Sequence, residues 1–198
     1  MVTTPSQEPQ RAQMRRSQVL QAATRCFRLY GFHGCSMAQL AKEAGMSVGH
    51  IYHYFENKEA IIEAIVQQDL EEWLISMSRL LDSPDVFQEI LDTLEEPVRE
   101  TQQPDYAALQ IEIIAEAARN PKVAHMVHTV HRQVRDTVAA MLIKGSRRPL
   151  SETEIDSKFE LLSALFDGLM VRAIRAEKMD LDGLMAIMRP TIRFILDH

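Results

Sequence analysis

The sequence predicts an all-α protein of about nine helices, and three observations carry that prediction. Apolar residues recur at three- and four-residue spacing along most of the chain, which is the period of one helix face. Gly is sparse and β-branched runs are rare, while Leu, Ala, Met, Glu and Arg are plentiful, a composition that favours helix over strand. Ser, Asn and Pro stand where helices would begin, and Gly stands where one must end. A chain of 198 residues, 46% hydrophobic and 25% charged, is long and apolar enough to bury a core for one or two domains.

Residues 1–12 are polar and Pro-containing, and the stretch 1–14 is expected to be a flexible arm. Arg11, Arg15 and Arg16 stand at its border, where they can reach phosphates. The first helix is expected from about Arg15 to Tyr30, with Val19, Ala22, Ala23, Phe27 and Tyr30 turned inward. Ser36 followed by Gln39 has the spacing of a capping box and opens a second helix. Met37, Leu40, Ala41 and Ala44 give that helix one apolar face, and Gly45 breaks it. Ser47 then caps a third short helix, Val48 to Tyr54. Two short helices around a Gly-containing turn form a helix-turn-helix, the arrangement whose second helix enters the major groove of DNA.

Asn57 caps a long fourth helix reaching about Leu81, with Ile61, Ile62, Ile65, Leu70, Trp73, Leu74 and Met77 in its apolar register. Ser83-Pro84 starts the fifth, striped by Phe87, Ile90, Leu91 and Leu94, and Pro97 is expected to kink or end it. Pro104 opens a sixth, Asp105 to Arg119. Asn120-Pro121 stops that one and begins a helix to about Lys144. After a basic loop, Gly145 to Leu150, the pair Ser151 and Glu154 makes a second capping box for a helix to about Glu177. A last helix starts near Asp180 and carries Pro190, which is expected to kink it. The chain shows no internal repeat.

The formal net charge of -6 argues against a polyanion partner until it is divided along the chain. Residues 1–60 hold seven Lys/Arg against four Asp/Glu, and residues 61–198 hold fifteen against twenty-four. The positive end coincides with the helix-turn-helix, and local charge governs phosphate attraction more than the total does. The two cysteines, Cys26 and Cys35, form no CxxC pair and no disulfide-like framework. Cys26 falls in the apolar register of the first helix and reads as a small core residue, while a redox-sensor role stands as the alternative for Cys35. No signal peptide opens the chain and no apolar run reaches the roughly 18 residues that span a bilayer, so a reduced, cytoplasmic protein is expected.

The stretch from about Val19 to Ile65 resembles the N-terminal domain of the tetracycline-repressor (TetR) family of bacterial transcription regulators. The resemblance rests on Ala22, Phe27, Gly31, Phe32 and Ser36-Met37, then Leu40-Ala41, Ala44-Gly45-Met46-Ser47 and Gly49. It continues through Ile51-Tyr52-His53-Tyr54-Phe55 and Asn57-Lys58-Glu59. Cys35-Ser36-Met37 departs from the Thr-Thr that the family often carries, although Ser36 still supplies a hydroxyl. The resemblance is detailed over about a quarter of the chain and architectural over the rest. It divides the chain into the arm, a helix-turn-helix domain over 15–60 and a helical ligand-binding and dimerisation domain over 61–198.

That resemblance implies a cytoplasmic, dimeric, sequence-specific DNA-binding regulator, most simply a repressor released from a palindromic operator by a small-molecule effector. Activators and co-repressor-dependent regulators share the same fold. Ser47, Tyr52, Tyr54 and Lys58 are the candidate phosphate contacts, with Ser36 beside them, because hydroxyls and an ammonium fix register without reading sequence. Val48, Gly49, His50 and His53 lie where base edges would be met, and Gln39 is a further candidate. Gly49 admits close backbone approach, Val48 can touch a thymine methyl, and either His can hydrogen-bond a purine. Phe55 reads as core and Tyr52 as part core, part contact.

In the C-terminal part, Ile155 to Ile174 is apolar over nearly its whole circumference from Leu161 onward, as befits a helix covered on all sides. Ala164 and Gly168 are small and four apart, permitting close approach. Family architecture implies a homodimer through the last two helices. Helical register and family layout together nominate an effector site lined by Trp73, Met77, Phe87, Leu91, Leu109, Ile113, Met126, Val130, Phe166 and Met170. Glu112 and Glu116 share one helix face. They are either exposed or paired, with Arg119 a partner for Glu116, or they point into the cavity and attract a cation. His125, His128 and His131 fan too widely around their helix to hold one metal, and His131 reads as partly buried and pocket-lining. No metal and no cofactor is called for. An enzyme built on a carboxylate-bridged metal centre would need Glu-x-x-His pairs, and none of the seven histidines follows a Glu by three.

Overall fold

A computed structural model describes residues 7–176 and 178–198, with ten helices and no strand among them. In chain order they are α1 (Gln7–Gly34), α2 (Met37–Ala44), α3 (Val48–Tyr52), α4 (Lys58–Asp82) and α5 (Val86–Thr93). After these come α6 (Glu95–Thr101), α7 (Pro104–Ala117), α8 (Pro121–Gly145), α9 (Glu152–Arg175) and α10 (Leu181–Asp197). The chain folds as two compact units. Among the described residues, the first takes those up to Gln68 together with 112–127, and the second takes 69–111 together with those from His128 onward. Three helices, α4, α7 and α8, therefore begin in one unit and end in the other.

Several boundaries moved. Part of the expected arm is helix: α1 starts at Gln7, and residues 1–6 lie outside the described set. Tyr30, expected inward, is exposed, and the helical register breaks one residue later at Gly31. There φ is 72° and ψ 166°, a conformation essentially reserved for glycine. The fifth helix begins at Val86 under an Asp85 cap, whose carboxylate accepts from the Gln88 amide. The tenth helix arises because Pro97 cannot donate a backbone hydrogen bond. The helix breaks at Leu94, upstream of Pro97, and restarts with Pro97 in the first turn of α6, where the missing N–H costs nothing. α10 instead runs through Pro190. Glu177, expected near the end of α9, lies outside the described residues.

The first unit packs Val19, Ala22, Ala23 and Phe27 of α1 with Leu40, Ala41 and Ala44 of α2, Ile51 of α3, Phe55, and Ile61, Ile62 and Ile65 of α4, all buried. Each large side chain taken out of water in this way contributes roughly 1.5–3 kcal/mol. The core of the second unit gathers Phe87, Leu91, Leu94 and Val98 with Ala139, Leu142, Ile155, Met185, Met188, Ile192 and Leu196. Lys158 is buried in that unit, and its ammonium donates to the carbonyls of Ile195 and Leu196, the latter at 3.0 Å. It thus satisfies orphan carbonyls at the end of α10.

The cysteines correct the sequence reading. Cys26 and Cys35 are joined by a disulfide across a Cα separation of 5.7 Å. Spacing along the chain gave no sign of it. The reversal at Gly31 folds the end of α1 back, and the Cys35 amide bonds the Gly31 carbonyl at 3.0 Å.

Candidate nucleic-acid interface

The capping box read from the sequence is formed. Ser36 Oγ accepts from the Gln39 amide at 3.2 Å and Gln39 Oε1 accepts from the Ser36 amide at 2.8 Å. Gly45 ends α2 in the left-handed region, φ 62° and ψ 35°, and its amide returns to carbonyls of the last turn. Ser47 Oγ accepts from the His50 amide at 3.2 Å and so caps α3. In both serines the hydroxyl accepts, which leaves its proton to donate. Gln39 likewise keeps its amide N–H groups, and both serines and Gln39 are exposed.

The recognition helix is held by one residue and shows its other faces to solvent. Ile51 is fully buried, while Val48, Gly49, His50, Tyr52 and His53 are exposed. Nothing lies within 4 Å of the position a Cβ would take on Gly49. Tyr54 is half-buried between neighbours, its ring 5.3 Å from His50 and 5.2 Å from His53. Phe55 is core, and the Arg16 guanidinium covers its ring at 4.8 Å. Two cross-links seat α1 on α2: Gln18 donates to the Ala44 carbonyl at 2.7 Å, and Arg25 pairs with Glu43 at 2.7 Å.

Lys58 departs from expectation. Its ammonium donates to the carbonyls of Phe32 at 2.6 Å and Cys35 at 3.0 Å and lies over the Phe32 ring. Those carbonyls close the end of α1, and a half-buried lysine already committed to them is not presented to a phosphate.

Glu112 and Glu116 also have partners. Glu112 accepts from the Phe32 amide at 2.7 Å. Glu116, 1% exposed, accepts from Asn120 at 3.0 Å and Arg119 at 3.1 Å, and lies 2.9 Å from His33 Nε2. Burial opposes its charge, but the hydrogen bonds from Asn120 and Arg119, with the charges of His33 and Arg119, hold the carboxyl below its usual range. The paired reading of Glu116 with Arg119 is the one formed. The cavity-facing reading of both carboxylates is corrected, because each is spent on the end of α1 or on the residues that follow α7.

The remaining effector-site candidates fall in different settings. Ile113 and Met126 belong to the first unit. In the second, Phe87 and Leu91 are core, packed with Met185 and Ile192, and Leu109 and Met170 are buried. Trp73, Met77, Val130 and Phe166 are half-buried. His131 is exposed, correcting its pocket-lining assignment; it sits against the Phe159 ring at 4.9 Å and 3.8 Å from Glu160.

Sequence reasoning missed one polar group in the second unit. Asp69 is pushed up to about 6, first by burial and then by Glu72 and Glu100, and Gln110 donates to it at 3.4 Å. Tyr106 is pushed up to about 12 by burial and by Glu100, Asp69 and Asp167. The signal was present in the sequence: Asp69 stands in the Ile62–Val66–Trp73 register, where an apolar residue was due.

Comparison with known proteins agrees with this geometry. Residues 19–65 match the profile of bacterial regulatory proteins of the tetR family, and residues 88–197 match that of the BetI-type transcriptional repressor C-terminal region. The chain is 32% identical over 154 residues to the HTH-type transcriptional regulator UidR of Escherichia coli K12, covering 76% of this chain and 78% of that one. It is 32% identical over 172 residues to the HTH-type transcriptional repressor Rv1474c of Mycobacterium tuberculosis, covering 82% and 84%. Among solved structures, Salmonella enterica GusR superposes with a TM-score of 0.73 at 28% identity over 92% of this chain and 95% of that one.

Proposed function

The chain belongs to the tetR family of bacterial transcription regulators, and from that premise we propose that it works as a homodimer on a palindromic operator and is released by a small-molecule effector. The observation that carries the dimer is a pair of uncovered apolar stripes on α9 and α10. On α10 Ile187 is 69% and Phe194 63% exposed, one helix face apart from the buried Met185, Met188 and Ile192. On α9 Leu161, Ala164 and Gly168 are exposed, and nothing lies within 4 Å of a Cβ placed on Gly168. Small residues there permit a second helix to approach closely, and two copies of one self-complementary surface make a closed C2 pair.

A dimer serves DNA recognition directly. Two recognition helices set roughly 34–36 Å apart enter successive major grooves, and linking them raises affinity without a new contact. Ser36, Ser47, Tyr52 and Tyr54 supply hydroxyls for phosphates. Val48, Gly49, His50, His53 and Gln39 face the bases.

Effector release requires a ligand that prefers the state unable to bind the operator, since equal affinity for both states shifts nothing. Candidate walls remain Trp73, Met77, Leu109, Val130, Phe166 and Met170, and the helices shared by both units, α4, α7 and α8, are the covalent route by which occupancy of one reaches the other.

Selection of sheared genomic DNA on the purified protein, with sedimentation of the same sample, tests the reading. A recovered short palindrome and a two-chain mass support it. Ile187→Asp combined with Phe194→Glu, both at exposed positions, is expected to give a folded monomer with lower operator affinity. A native dimer in that variant removes the interface from α10.

A further inference from the structure

The disulfide stands inside the DNA-reading unit, and its position is the reason it matters. Cys26 lies on α1, and Cys35 immediately precedes Ser36, the residue that caps α2. The Cys35 carbonyl accepts from the Lys58 ammonium, and its amide donates to the Gly31 carbonyl. The backbone that places the start of α2 is therefore tied to α1 through one covalent bond and one hydrogen bond, and to α4 through Lys58. The chain has two cysteines, so the oxidised pair has no competing partner within the chain.

We propose that Cys26 and Cys35 form a thiol–disulfide couple that sets how firmly α2 is seated on α1, so that DNA binding responds to the thiol redox state; the second clause rests on the DNA-reading function above. The argument is one of packing. Cys26 is 1% and Cys35 0% exposed, so both sulfurs sit in filled surroundings. Bonded sulfurs lie about 2 Å apart, whereas unbonded heavy atoms settle at roughly 3.5–4.0 Å. Reduction must therefore separate the two backbones or turn a side chain where interiors are close-packed. The element that must yield is the short segment between the Gly31 reversal and the Ser36 cap, since Cys26 is fixed within a long helix. Displacing that segment strains the bonds that Glu112 and Lys58 make to Phe32 and Cys35. Movement of Ser36 loosens the capping box, and with it α2 and the recognition helix that follows.

The chemistry closes with a small-molecule thiol as reductant. Its thiolate attacks one sulfur, the S–S bond breaks, and the other cysteine leaves as a thiolate that takes a proton. A second small-molecule thiolate then attacks the small-molecule sulfur of the mixed disulfide, and the protein cysteine leaves as a thiolate that takes a proton. Two protein thiols and one small-molecule disulfide result, with two electrons passed to the protein sulfurs. Because both sulfurs are buried, exchange proceeds through local opening of this segment.

The test holds the full chain in glutathione buffers spanning reduced to oxidised. Thiols are counted by alkylation and intact mass. Amide exchange over residues 35–45 and affinity for the duplex recovered by genomic selection are measured on the same samples. The expected result is no alkylatable thiol at the oxidising end, two at the reducing end, faster exchange at residues 36–44 on reduction, and about tenfold weaker duplex binding. Cys26→Ala with Cys35→Ala should follow the reduced protein in every buffer. Two free thiols at the oxidising end, or equal exchange and equal affinity in both states, would overturn the proposal. A change in exchange from a protein that recovers no duplex in either state overturns the DNA-reading premise instead.

Discussion

Gly49→Ala separates folding from the base contact proposed for α3, because the two are expected to respond with opposite signs. Gly49 is the second residue of α3, and no heavy atom lies within 4 Å of the added Cβ. The fold therefore has room for the methyl group. Gly is less favourable than Ala in helices by about 1 kcal/mol, and relieving the extra freedom of the unfolded chain stabilises by about 0.4–1 kcal/mol where the geometry permits. The thermal midpoint should stay level or rise by roughly 1–4 °C. On DNA the same methyl occupies the space the bases would take. Forcing one carbon into a packed contact costs about 1–3 kcal/mol, which is roughly a 5- to 150-fold loss of affinity. Fluorescence anisotropy with the selected duplex, paired with a thermal melt, reads both quantities. Unchanged affinity at unchanged stability would place Gly49 outside the interface and refute the orientation argued for α3.

The other predictions concern charges whose partners the structure reveals. Lys58→Ala should lower stability by about 1.5–3 kcal/mol, the range for hydrogen bonds to a charged group, while the salt slope of DNA binding stays as in the parent. A shallower slope with unchanged urea midpoint would return Lys58 to the phosphates. Glu116→Gln should lower the thermal midpoint at pH 7. Its folded carboxyl lies below the unfolded value, so its contribution is present above the ordinary carboxylate range and is lost as pH falls through the folded value. The parent should thus lose more stability on acidification than the Gln variant, and parallel curves would sink the assignment. Asp69 has the opposite sign. With its folded value raised to about 6, the folded state holds the proton longer than the unfolded chain, so stability falls as pH rises from the usual range near 3.8 through 6. Asp69→Asn should flatten that slope and be the more stable protein at pH 7, as urea midpoints at pH 5 and 7 would show.

The sequence by itself determined the helices and their punctuation. Both capping boxes, the Gly45 stop, the Ser47 cap and the Asp180 start formed as read, because each is a contact between residues three or four apart and needs no tertiary information. The same locality made the helix-turn-helix and its exposed face legible, since the period of α3 alone separates Ile51 from His50 and His53. Even the extra helix follows from Pro97 once its missing N–H is counted.

What only tertiary structure decided are pairings distant in sequence. Glu112 reaches the Phe32 amide across 80 residues. Lys58 reaches carbonyls 26 and 23 residues away. Cys26 finds Cys35 because Gly31 reverses the chain between them. A helical register says which face a side chain occupies, and it is silent on what that face meets. Glu112 and Lys58 both stood as candidates for a ligand or a phosphate, and both are consumed inside the first unit. A charged side chain near buried backbone is stabilised by whichever unsatisfied amide or carbonyl the fold brings within reach, and that partner is set by packing rather than by spacing along the chain.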